Sequence, residues 1–351
     1  MARREEDEET EEAKVPRPRS QTFLVVRDIV TAVVVVALVF GAVLAYTQVW
    51  PPMVVVESNS MQHSSDESFI GVIDTGDLVL VQAARAKADV VTYAEGRNTG
   101  HATYGDYGDV IIFNQLGGPG RYAKADPIIH RALLYLEWDE ARGGYNLPGL
   151  DGAGNQGKWG CRSVCNASAG PYGLLGVIWF QGSPSTASPS GWTQDFNLSN
   201  IRTASAAWNG GTPYSSYVTK GDHNTNADQN QGLNAGGTPQ QAIIGKARGE
   251  IPWFGLIKLT LLKTGNCCAY WGCTGRGAPC FATRNSWDAL VISLVSILSL
   301  PVFLDIAAAY REKRKEAREG ANVPETEKPV NDKPAEGKGP EPPEPPEPPD
   351  R

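Results

Sequence analysis

The sequence is poor in the groups that most catalytic and metal chemistry needs. Among 351 residues there are only four histidines and six cysteines. No Cys-x-x-Cys pair or close histidine spacing suits a structural zinc, and no metal or cofactor is expected. The formal net charge is −7, with no concentrated basic patch, which argues against nucleic acid as a partner. Charge is also scarce in the middle of the chain. The first 20 residues hold 7 acidic and 5 basic side chains, and residues 311–351 hold 11 and 9. Each tail is therefore −2, and only −3 is left between them. Ten of the 25 prolines lie beyond Asn322. Neither tail has the apolar groups that would offset the entropy of ordering, so 1–22 and 311–351 are expected to be disordered.

Long apolar runs are present, and there are two. Residues 29–56 carry no charge, and a helix needs about 20 residues to cross the hydrocarbon layer of a bilayer. Trp50 followed by Pro51 and Pro52 ends that helix with an interfacial aromatic. A cleaved signal peptide fails on length, on the late start after an acidic N-terminus, and on the lack of a small-residue cleavage site. The first transmembrane helix is thus placed at 23–50. The second run, 287–310, contains Asp288, Pro301 and Asp305 and reads as a spanning helix with a kink. Arg17, Arg19 and Arg27 precede the uncharged run of the first helix, and Arg311, Lys313, Arg314, Lys315 and Arg318 follow the second helix. Positive flanks stay cytoplasmic, so both termini are expected inside a cell membrane and the segment between the helices outside it.

In the outer segment, 51–263, the runs FIGVID, DLVLVQ, DVVTY, DVIIF and IIHRALLYLEW are rich in β-branched and aromatic residues and separated by Gly or Asp turns. That is strand composition, and it predicts a mainly β domain. Residues 139–215 change to Gly, Ser, Asn and Trp and read as a long surface insertion. Ile251 to Leu262 is apolar but too short to span, and Trp253 and Phe254 suit a membrane surface. Cys161, Cys165, Cys267, Cys268, Cys273 and Cys280 all fall outside the membrane, the last four in an outer loop at 264–286. An even count there predicts disulfides, with at least one longer bridge because adjacent Cys267 and Cys268 do not suit each other. Asn166 and Asn197 begin N-glycosylation sequons.

Three polar clusters carry possible chemistry: Glu57 to His63 just after the first helix, with Ser58-Asn59-Ser60-Met61 in it; Ile128-Ile129-His130-Arg131 at the end of an apolar strand; and Thr219 to Asp228 in a polar loop, with Lys220-Gly221-Asp222-His223-Asn224 near its start. Each alone reads as a turn or a strand end. In this order, with Gly76-Asp77, Gly108-Asp109, Gly245-Lys246 and Ile251-Pro252-Trp253-Phe254-Gly255, they resemble the type I signal peptidases of the archaeal and endoplasmic-reticulum type. The likeness covers most of 57–263 apart from the insertion. The sequence departs from the family pattern in four places: His223 stands where Asn is usual and is given no catalytic role, the long insertion has no counterpart, and two more departures flank Ser60. Asn59 stands where Gly is common, tolerable if that residue is left-handed. His63 stands where Pro is common, and it reads as a surface turn residue.

The resemblance implies a signal peptidase-like antiparallel β fold anchored by two membrane helices. It implies a membrane-bound serine endopeptidase that cuts signal peptides from exported preproteins after a small-x-small site. Ser60 would be the nucleophile and His130 its base. Asp228 would be the triad acid and Asp222 a supporting acid, a pair that sequence does not separate. The Ser60 N–H and the Ser58 hydroxyl would hold the oxyanion, and Lys220 is the alternative base. Preproteins, the bilayer and the secretion translocon are the implied partners. The competing expectation is a non-catalytic, membrane-anchored β protein that binds partners through its disulfide-bonded insertion.

Overall fold

The computed structural model describes residues 21–64, 66–165, 170–262 and 282–320. The chain divides into two compact units, Met1–Ser293 and Leu294–Arg351.

Helix α1 (Gln21–Thr47) contains the first apolar run. Its apolar side chains are mostly exposed, Val33 by 62% and Leu38 by 67%. A stripe facing a protein core would not look like this, whereas a helix in lipid does. Of its residues, Val25–Thr47 are long and apolar enough to cross a membrane, with mean hydropathy 2.7 over an 18-residue stretch. Helix α5 (Arg284–Gly320) contains Pro301 and is the second such helix, with mean hydropathy 2.3 over an 18-residue stretch within Arg284–Glu316. It continues past the expected end at 310, so residues 311–320 are helical and not part of a disordered tail. The Arg, Glu, Lys and Ala residues there are good helix formers, which sequence composition alone had assigned to the tail.

Between the helices, the chain is mainly β. Strands β1 (Met53–Val55) and β2 (Leu78–Gln82) are followed by helix α2 (Tyr93–Thr99) and the short hairpin β3 (Ala102–Thr103) and β4 (Asp106–Tyr107). Then come β5 (Val110–Phe113), β6 (Ile128–Asp139), β7 (Gly144–Asn146), β8 (Trp159–Ser163), β9 (Val177–Gly182), β10 (Trp192–Asn197) and helix α3 (Leu198–Trp208). Strands β11 (Ser216–Lys220), β12 (Thr238–Pro239) and β13 (Ile243–Ile251) lead into helix α4 (Gly255–Leu262). The main sheet has eight strands in the order β1-β2-β13-β5-β6-β11-β12, with β7 on β6. Every pairing is antiparallel, and the sheet curls into a half-barrel.

Two expected strands are absent. Residues 69–74 form turns in which side chains meet the backbone: Asp74 accepts the Phe69 N–H at 3.0 Å, and Glu250 accepts that of Gly71. In DVVTY the chain turns at Thr92, which caps α2. Its side chain accepts from the Glu95 N–H, and the Glu95 carboxylate accepts the Thr92 N–H at 2.8 Å. That reciprocal pair outweighs the strand preference of the preceding valines.

The insertion at 139–215 is not a surface loop. It forms a three-stranded sheet, β10-β9-β8, and helix α3. Ile178, Phe180, Phe196, Leu198 and Ile201 share a buried cluster with Leu133, Leu134 and Leu136 of β6 and Val218 of β11. Burying each large side chain of this kind contributes about 1.5–3 kcal/mol, so the insertion supports the strands beneath it. Within it Cys161 and Cys165 form a disulfide. The expected longer bridge falls on Cys267, Cys268, Cys273 and Cys280, which lie outside the described residues, as does Asn166. Asn197 caps α3, accepting from the Asn200 N–H at 3.0 Å. Trp253 does not face outward as an interfacial residue would. Its indole donates to Ser68 Oγ at 3.1 Å, and the exposed apolar side chains of this stretch are Ile251 and, on α4, Ile257, Leu261 and Leu262.

Candidate active site

The turn that carries Ser60 follows β1 directly. The Gln62 N–H closes it on the Asn59 carbonyl at 3.0 Å, and Met61 is buried beneath it. Asn59 does not take the left-handed conformation that its place in the motif suggested; among the described residues positive φ falls elsewhere. The turn is held instead by long-range bonds. The Thr75 hydroxyl donates to the Ser58 carbonyl at 3.0 Å, and the His223 N–H donates to the Ser60 carbonyl at 2.9 Å. Gly221 is required for the second contact, because a Cβ there would stand 2.4 Å from the Ser60 carbonyl oxygen.

His130 projects from the start of β6, opposite Ile111 of β5. Next in the strand, Arg131 pairs with Lys220, the last residue of β11, so β11 delivers its following loop to the same end of the sheet. His130 Nδ1 stands 2.7 Å from Asp228 Oδ2, and the Thr219 hydroxyl donates to the same oxygen at 2.6 Å. A carboxylate accepts, so the Nδ1 proton points at Asp228 and the neutral ring keeps a lone pair on Nε2. The ring is buried on the Asp228 side, with its side chain 7% exposed and that of Asp228 2%.

Asp222 does different work. Both of its oxygens are taken by Arg131, at 2.8 Å from Nε and 2.5 Å from Nη2. Arg131 is 1% exposed and also donates to the carbonyls of Thr103, Tyr104, Asp106, Tyr107 and Gly108. Burial alone would lower the guanidinium pKa, but the Asp222 charge and hydrogen bonds outweigh it and hold it above the ordinary value. This ion pair ties the β3–β4 hairpin to the acid loop.

Ser60 and His130 open into one groove of about 1140 Å³, lined mainly by apolar residues of β1, α1 and α4, among them Phe40, Val54, Ile257 and Leu261. Ser58 lines it too, and the Ser58 and Ser60 hydroxyls are 3.1 Å apart. Among the described residues, Ser60 Oγ shares a hydrogen bond with Ser58 and none with His130. Catalytic bonds of this kind often close only once substrate is bound. The Ser60 and Met61 N–H groups make no hydrogen bond among the described residues and are free to donate.

No family model, no curated protein and no solved structure matches this chain. The case for any activity therefore rests on the residues themselves.

Lys220, the alternative base, is committed elsewhere. Its ammonium donates to the carbonyls of Gly221 at 3.0 Å and Asp222 at 3.2 Å and lies over the Trp192 ring. Burial pushes its pKa below the ordinary lysine value, against the pull of Asp222.

Three residues near the site were given no role from sequence, although Arg131 and Thr219 stand within the polar clusters. Thr219 fixes the Asp228 carboxylate. Arg131 holds Asp222. Gln194, on β10 of the insertion, grips the acid loop. Its amide donates to the Thr225 carbonyl at 2.8 Å and accepts from the Ala227 N–H at 2.9 Å and from Asn230 Nδ2 at 3.2 Å. A fourth, His63, is not on the surface as expected. Its side chain is 1% exposed, and its ring lies 3.7 Å from Asp222.

Among the described residues, no group of three His, Cys, Asp or Glu side chains is placed to hold a metal ion.

Proposed function

We propose that this protein is a membrane-anchored serine endopeptidase that removes signal peptides from exported preproteins after a small-x-small site. The observation that carries the reading is the His130–Asp228 pair, facing the same apolar groove as Ser60 at the outer end of a helix apolar enough to span a membrane.

In this mechanism Ser60 Oγ swings from Ser58 to His130 Nε2, which takes its proton as Oγ attacks the scissile carbonyl. Asp228 keeps the Nδ1 proton in place and stabilises the imidazolium without itself being protonated. The carbonyl oxygen becomes an oxyanion, bonded by the Ser60 N–H and by the Ser58 hydroxyl that Ser60 has released. One such donor contributes about 3 kcal/mol. His130 then gives its proton to the leaving amine, which departs as the mature N-terminus. Water repeats the sequence on the acyl-enzyme and frees Ser60.

The surroundings suit an extended, apolar peptide. Strand β1 is an edge of the main sheet, and its residues line the groove. A substrate strand added beside it would gain backbone hydrogen bonds while small side chains enter the groove. The groove also reaches Phe40 on α1 and Leu261 on α4, which fits a substrate whose apolar helix stays in the bilayer. Both termini would be cytoplasmic, the catalytic domain outside, and the translocon the source of substrate.

A non-catalytic, partner-binding role for the insertion draws less support, because its apolar side chains are packed inward against β6 and β11. The test is incubation of the purified full chain with a precursor bearing a small-x-small site, followed by mass measurement. Cleavage after that site is expected; an intact precursor contradicts the proposal.

A further inference from the structure

His63 is three residues from the proposed nucleophile, and nothing in the mechanism above uses it. Its imidazole is wedged in the protein, and a Cβ on Gly105, where φ is +83°, would come within 3.1 Å of Nε2. The two ring nitrogens differ. Nδ1 is 3.0 Å from the Met61 carbonyl. A carbonyl can only accept, so this nitrogen carries hydrogen and donates it. Nε2 is buried, has no hydrogen-bond partner among the described residues, and faces Asp222 Oδ2 at 3.7 Å. The His63 N–H points to Asp74 Oδ1 at 3.4 Å.

These contacts bracket the Ser60 turn from two sides. The Asp222 loop already holds the Ser60 carbonyl through the His223 N–H. Asp222 itself is locked by Arg131. His63, leaning on Asp222, takes hold of the carbonyl of the next residue, Met61. The Met61 N–H lies between these two anchored carbonyls, and the Ser60 N–H shares its peptide plane with the Asn59 carbonyl, which the Gln62 N–H of the Met61 peptide plane holds at 3.0 Å; both donors are unpaired among the described residues. A peptide plane that is free to rotate would swing these donors away from a developing oxyanion.

We propose that His63 is a positioning residue for the Ser60 turn: its Nδ1–H, donated to the Met61 carbonyl, fixes the Ser60–Met61–Gln62 backbone in the orientation the reaction needs. The proposal takes Ser60 as the nucleophile and so rests on the function proposed above. It adds a role for a residue that the resemblance left without one.

The test compares the full-length wild type with His63→Phe, which keeps a ring and loses both nitrogens, and with His63→Asn, whose amide N–H can take the place of Nδ1. His63→Leu replaces His63→Phe if the larger ring does not fold beside Gly105. Two quantities are read: kcat and KM on a small-x-small precursor, and hydrogen exchange over residues 58–62. His63→Phe is expected to lower kcat roughly tenfold or more with KM within about twofold, and His63→Asn to recover most of the loss. Exchange in the turn should quicken in His63→Phe and return towards wild type in His63→Asn. Wild-type kcat and exchange in His63→Phe would overturn the proposal. So would equal losses in Phe and Asn variants accompanied by equal drops in melting temperature, which mark a packing role alone. If the wild type cuts no precursor, the proposed function fails, and the exchange comparison still decides whether His63 orders the turn.

Discussion

Asp228 Oδ2 lies 2.7 Å from His130 Nδ1, while Asp222, six residues earlier in the same loop, has both oxygens on Arg131. The two acids are therefore separated by what they hold. One orients an imidazole that faces the groove; the other neutralises a buried guanidinium.

Substitution should expose that division. Asp228→Ala is expected to lower kcat by about 10⁴-fold with little change in folding, the scale of losing a triad acid. Asp222→Ala leaves Arg131 buried without its counter-charge, which costs about 3–5 kcal/mol. It should appear first as a lower melting temperature. Parallel kcat and thermal unfolding measurements check both, and the reverse pattern would exchange the roles.

Ser58 offers a second kinetic signature. Its hydroxyl is 3.1 Å from that of Ser60 and is proposed to turn to the oxyanion. Ser58→Ala should lower kcat by about 10²–10³-fold while KM holds. A change confined to KM would assign Ser58 to substrate binding.

The insertion acts on the site through Gln194. Its amide makes three hydrogen bonds to the loop leading into and out of Asp228. Gln194→Met keeps the volume and removes all three. The expected result is a stability loss of about 1–3 kcal/mol from unsatisfied loop groups, with faster hydrogen exchange over 224–230 and a lower kcat. Unchanged exchange there would mean that the loop holds itself.

Much of this arrangement could be read in the chain, and the misses have physical causes. Strands β2, β5 and β6 stand out because β-branched runs reach the turns that bound them. The ordered Ser60, His130 and Asp228 motifs stand out because residue types and spacing carry them. The insertion did not, because Leu174, Phe180, Phe196 and Ile201 are spread among Gly, Ser and Asn residues and are buried only by distant partners. The start of α2 was legible as Thr92-Tyr93-Ala94-Glu95, a capping signature hidden behind two valines. His63 has polar neighbours, so local sequence suggests a surface; its burial comes from Gly105 and Asp222, far along the chain. Spacing could not choose between Asp222 and Asp228, since the choice depends on where Arg131 points.

A carboxylate cluster behind the site sets a pH dependence of stability. Burial pushes the Asp77 carboxyl up to about 7, against N–H groups of Trp253 and Asp74 that favour its charge. The folded protein thus keeps a proton that the unfolded chain has lost. The stabilisation is full below pH about 4 and disappears as pH rises to about 7. Thermal unfolding of wild type and Asp77→Asn at pH 4, 5.5, 7 and 8, values set by that window, should show the wild type losing ground to the variant up to about 7 and no further change above. A constant difference across the range would remove Asp77 as the source.

The central claim is that Ser60 performs the cleavage. The most direct measurement is the mass of a small-x-small precursor after incubation with equal amounts of folded wild type and folded Ser60→Ala, both in full-length form. The account predicts a single cut after the small-x-small site by the wild type and an intact precursor with Ser60→Ala. The same cut made at the wild-type rate by Ser60→Ala would contradict it.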